Sequence, residues 1–73
     1  MSIFELFAKN LPPELSDLLN RPVEEATKMA RLLGLLVRLA EVDGEPYSVH
    51  SAYRRDRVNF KVEDGRVVEV GVG

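Results

Sequence analysis

Between Val23 and Val42 the chain is apolar almost everywhere except along one narrow stripe. On a 3.6-residue period Glu24, Thr27, Lys28, Arg31, Arg38 and Glu41 line up, and valines, leucines, alanines and Met29 cover the remaining surface. Read as one helix, this segment must be covered on most of its circumference. A small sheet covers only one side, so the pattern predicts that preceding helices or a second copy of the chain take the other. Gly34 falls in the middle of the segment, where glycine costs about 1 kcal/mol relative to alanine. Close approach of a partner backbone is one reason to keep it there, and a tolerated irregularity is the other. Met29, Leu32, Gly34, Leu35, Leu36 and Leu39 are accordingly the candidate oligomer interface, most simply of a homodimer.

Size points the same way. A chain of 73 residues forms one domain, here 1–73 with a helical half 1–42 and a strand half 46–72. Domains this small bury only about 60% of the surface that their unfolded chains expose, and association is a direct remedy. With no cysteine the chain has neither disulfides nor thiolate chemistry, which suits a reducing cytoplasm. The longest apolar run, Leu32 to Val37, is far short of the roughly 20 residues that span a bilayer, and no basic, apolar leader opens the sequence. Membrane insertion and export are therefore not expected.

Around the long segment the local signals are short. Ser2 and Glu5 have capping-box spacing, which starts a helix over Ile3 to Lys9. Pro13 opens a second helix, Pro13 to Asn20, with Leu15, Leu18 and Leu19 on its apolar side. Glu24 and Glu25 then follow Pro22, where negative charge meets the positive end of a helix dipole. The cluster Ile3, Phe4, Leu6 and Phe7 has only Lys9 as a nearby cation, so core or subunit contact fits it better than a membrane surface.

After Asp43-Gly44-Glu45-Pro46 the period changes to two. Val58, Phe60 and Val62 alternate with polar residues, as do Val68, Val70 and Val72. A two-residue Asp64-Gly65 turn would set Glu69 opposite Phe60, whereas a three-residue loop over Glu63, Asp64 and Gly65 sets Phe60 against Val68 and Val58 against Val70. That register is preferred. Upstream, Tyr47, Val49, Ser51 and Tyr53 form a further strand that turns at Arg55-Asp56 and places Tyr53 opposite Val58 and Val49 opposite Val62. The expected architecture is α+β: three N-terminal helices, the third long and mostly buried, followed by a three-stranded antiparallel β-meander.

Chemistry is sparsely signalled. The net charge is −2; residues 1–45 carry five basic and eight acidic side chains, and residues 46–73 carry five and four. Neither half is polarised as in most nucleic-acid binders. A local cluster of His50, Arg54, Arg55, Arg57 and Lys61 on the outer sheet face is the candidate for tracking a phosphate backbone, against the plainer reading of a solvated face neutralised by Asp56, Glu63 and Glu69. His50 is the only histidine and has no assigned carboxylate partner, so no catalytic residue is proposed. Asp43, Glu45 and Asp56 lack the spacing of a calcium loop, and no glycine-rich phosphate cradle is present, so neither metal nor cofactor is expected. Absent glutamine and seven arginines to three lysines hint at a thermophilic source.

A winged-helix reading matches the element order but not the long helix, whose polar stripe mixes Glu24 and Glu41 with its cations. The reading that remains is a non-enzymatic, cytoplasmic association module. It would be a homodimer through residues 23–42, an accessory subunit of a larger assembly, or alternatively a nucleic-acid binder using the outer sheet face.

Overall fold

The long apolar segment is not one helix. In the computed structural model, which describes residues 13–47 and 53–73, a helix covers only Val23–Leu32 and a β-strand covers Leu36–Val42. The helix breaks at Gly34. Its φ of +81° is left-handed, a conformation that costs a side-chain-bearing residue about 1–2 kcal/mol. The Leu35 amide donates to the Ala30 carbonyl at 3.0 Å and the Gly34 amide to the Arg31 carbonyl at 2.9 Å, the paired bonds of a Schellman cap. Gly34 is thus a helix stop, and within the chain a β-carbon there would meet nothing within 4 Å.

Two helices and four strands are present among the described residues: α1 (Pro13–Ser16), α2 (Val23–Leu32), β1 (Leu36–Val42), β2 (Glu45–Pro46), β3 (Arg57–Glu63) and β4 (Arg66–Val72). The strands form one mixed sheet in the order β2-β1-β3-β4, with β1 and β3 parallel at its centre and the outer pairs antiparallel. Three helices with a three-stranded antiparallel meander is therefore incorrect. The expected partner of β3 over Tyr47–Tyr53 is displaced because both edges of β3 are occupied: Val58 lies between Val37 and Val72, and Val62 between Val42 and Val67. The expected helix Ile3–Lys9, the cluster Ile3, Phe4, Leu6 and Phe7, and Val49 and Ser51 lie outside the described residues. The helix expected over Pro13 to Asn20 is a single turn, α1, followed by a turn that closes at Asn20 with φ +65°.

Two bulges explain why alternation was hard to read. In β1 the register shifts between Leu39 and Glu41. The extra residue Ala40 lets Val37, Leu39 and Val42 share the helix side, while Arg38 and Glu41, three apart as on a helix, share the other. In β4 the shift lies beside Lys61 and Val62: Val62 pairs with Val67, but Lys61 pairs with Glu69 and Phe60 with Val70. The Asp64-Gly65 turn does have two residues, both at positive φ as a type I′ hairpin requires, and the bulge at Val68 restores the apolar face that a three-residue loop was expected to restore. Asp43 and Gly44 form the matching turn between β1 and β2, and the Asp43 carboxylate accepts the Asp64 amide at 2.9 Å, tying the two turns together.

One face of the sheet packs on the helices. Ala26 and Ala30, both fully buried, let α2 lie close to the sheet, where Val58, Phe60, Val62, Val67 and Val70 meet Leu15 and Leu18. The start of α2 is held by the sheet itself, with the Val23 amide donating to Gly65 and Val67 exchanging bonds with Asn20 and Arg21. Because Gly34 acts through its φ, Gly34→Ala is expected to cost about 1–2 kcal/mol in urea denaturation and Gly34→Asn less. Equal stability of both variants with wild type would refute the cap.

Candidate functional site

The face of the sheet opposite the described helices carries a polar network that begins with Asn59. This residue is fully buried although it sits on the face opposite the apolar core. The Arg38 Nε donates to Asn59 Oδ1 at 2.6 Å, and Asn59 Nδ2 donates to the backbone oxygen of Gly73 at 3.0 Å. Arg57 Nε reaches the same oxygen at 2.8 Å and Arg38 Nη2 at 3.3 Å. Parallel pairing explains the convergence, since Arg38 and Asn59 are register partners on β1 and β3 while Gly73 follows β4. Loss of hydration, and then the Arg57 charge, hold the Arg38 guanidinium below its ordinary pKa.

Further along the same face Lys61 lies between Glu41 at 3.3 Å and Glu69 at 3.7 Å. The hydrogen bond with Glu41, followed by the charges of Glu41 and Glu69, raises the lysine above its usual value. Arg54 grips Asp56 with two bonds of 2.8 Å, which lower the Asp56 pKa and raise that of Arg54. Of the candidate phosphate-tracking residues, Arg54, Arg57 and Lys61 therefore have partners within the chain, Arg55 is exposed, and His50 lies outside the described residues.

The second feature is apolar. Leu32 is 88% exposed, Leu33 49% and Leu36 48%, and they follow one another through the turn from α2 into β1. The Leu36 amide donates to Asp56 at 2.7 Å, which brings the end of the connection from β2 to β3, with its half-exposed Tyr53, to the same end of the sheet. The proposed oligomer residues thus divide. Leu32, Gly34 and Leu36 are exposed, whereas Met29, Leu35 and Leu39 pack against the core from its own margin. Arg38 and Asn59 escaped the sequence reading because one was placed on a helix and the other in solvent. The available signal was an asparagine centred in the valine and phenylalanine alternation of β3.

Among the described residues no group of three or more histidines, cysteines or acids could hold a metal ion, and no helix is long and apolar enough to cross a membrane. A shallow depression along Val23, Glu24, Thr27, Lys28 and Arg31 is open to solvent. The chain matches no protein-family model, no curated protein and no solved structure.

Proposed function

We propose that this chain is a non-enzymatic protein–protein association module of the cytoplasm, and that its contact surface is the end of the sheet where the α2–β1 turn meets the close of the β2–β3 connection. The observation that carries this reading is the exposure of three large apolar side chains close together in the chain, Leu32, Leu33 and Leu36, in a domain that fully buries Val58, Val67 and Phe60. Exposed apolar groups gathered at one place mark contact sites, and a rigid sheet that presents a loop end with a tyrosine beside them suits recognition. The polar network on the face opposite the described helices supports the same reading from the other side, because its cations bond to carboxylates and to Gly73 within the chain.

Photo-crosslinking tests this in cells. Tyr53→p-benzoyl-phenylalanine is expected to give a discrete protein adduct that Leu32→Ser abolishes, while the same probe at Glu24, exposed at the far end of α2, gives none. No adduct at position 53, or one that forms equally from position 24, would overturn the proposal. The mass of the adduct tells a second copy of the chain from a different partner.

A further inference from the structure

The leucine-bearing end is also the basic end of the molecule. Lys28 and Arg31 are exposed in the last two turns of α2, with Lys28 one turn before Leu32 on the same helix face. Arg54 and Arg55 are exposed where the connection reaches Leu36, and Asp56, the acid beside them, is bound by Arg54. At the opposite end lie Glu24 and Glu25 in the first turn of α2, and Asp43, Glu45, Glu63 and Asp64 around the two tied turns. The cations there are occupied locally, Arg21 by Glu25 and Arg66 by the Asn20 carbonyl. Behind a net charge of −2, the described residues therefore gather opposite charges at opposite ends, and the exposed leucines belong to the positive one.

From this polarity we infer that the leucine end docks an acidic protein segment that carries apolar side chains of its own. The inference rests on the association reading above and adds the chemistry of the partner. A two-fold pair formed through this patch would set Arg31 and Arg55 of each copy against those of the other, and like charges brought together at an interface oppose binding. A head-to-tail contact would satisfy the charges but waste the leucines, since the large exposed apolar residues among the described ones are Leu32, Leu33, Leu36, Tyr47 and Tyr53, none of them at the tied turns. Nucleic acid would use the cations and leave three leucines in water. A segment with carboxylates around an apolar anchor satisfies both, with the charges steering approach and the leucines slowing release.

Fluorescence anisotropy with labelled peptides tests the inference on the full chain. The probes are a peptide of repeated Glu-Glu-Leu-Leu, its Lys-Lys-Leu-Leu counterpart and a single-stranded oligonucleotide. The acidic peptide is expected to bind at least about tenfold tighter than the other two at low salt, and to weaken several-fold once salt shortens the screening length to about 8 Å. Leu32→Ser and Arg31→Glu should each weaken it about fivefold or more with the circular dichroism spectrum unchanged, because substitutions at exposed positions shift stability little. Absent binding of the acidic peptide, equal binding of both peptides, or tighter binding of the oligonucleotide would overturn the inference. Sedimentation equilibrium separates this inference from the association reading. A dimer that Leu32→Ser dissociates would refute the acidic partner and leave the contact surface standing, whereas a monomer is the expected result.

Discussion

Phe60→Ala is expected to remove about 3–5 kcal/mol of the fold's stability. Phe60 has no exposed surface and stands in β3 between Leu39 of β1 and Val70 of β4, so its ring is the largest side chain where sheet and helices meet. Truncating a buried phenylalanine costs about 3–5 kcal/mol, through lost burial and the cavity left behind. A domain of 73 residues has about 4–11 kcal/mol in total. The loss therefore consumes much of the stability, and the urea midpoint should fall steeply or vanish. Phe60→Leu fills most of the volume and should cost only about 1–2 kcal/mol. A cost below about 1.5 kcal/mol for the alanine variant would mean that the single helical layer does not close over the sheet.

That same core shows which parts of the fold could be read from the sequence. A mixture of helix and strand, a break at Asp43-Gly44, a hairpin joining β3 to β4 and the apolar face of β3 follow from composition and period, and the structure contains them, although a two-residue turn replaces the expected three-residue loop and the break joins two strands. The boundary between helix and strand inside residues 23–42 did not, for a physical reason. Leucines serve either period, and the bulge at Ala40 moved Arg38 and Glu41 to a spacing that imitates a helix. Gly34 was the one residue that contradicted the long helix, and it was the informative one. Parallel pairing of β1 with β3 was also illegible, because nothing local distinguishes a strand that pairs with its sequence neighbour from one that pairs across a crossover. With that pairing hidden, the juxtaposition of Arg38, Asn59 and Gly73 was hidden too. Of the proposed contact surface, Leu32 and Leu36 were named from apolarity alone, but the same reasoning named Leu35 and Leu39, which the fold uses for its own packing.

Asn59→Leu should be the most damaging change outside the apolar core. The side chain is fully buried, so leucine fits in volume, but it deletes the acceptor for Arg38 Nε and the donor to the Gly73 oxygen together. Arg38 already lies below its ordinary pKa because burial strips its hydration, and without Asn59 it keeps only its longer bond to Gly73. Hydrogen bonds to a charged group are worth about 1.5–3 kcal/mol, so a total cost of about 2–4 kcal/mol is expected. Asn59→Asp separates the two lost bonds. The introduced carboxylate still accepts from Arg38 but faces the Gly73 oxygen without a donor, so at neutral pH the cost should be near 1 kcal/mol. Its pKa would be lowered by Arg38 and Arg57, which gives a pH signature that wild type lacks at this position: the stability it retains is present above the unfolded carboxylate value of about 3.9 and is lost as pH falls through the lowered folded value. A double-mutant cycle then isolates the pair. Arg38→Met combined with Asn59→Leu should be more stable than the sum of the two single changes by about 1–3 kcal/mol, because removing both partners leaves no buried group unsatisfied. Additive costs across the cycle, or an Asn59→Leu variant as stable as wild type, would show that the network does not hold β1, β3 and the end of β4 together.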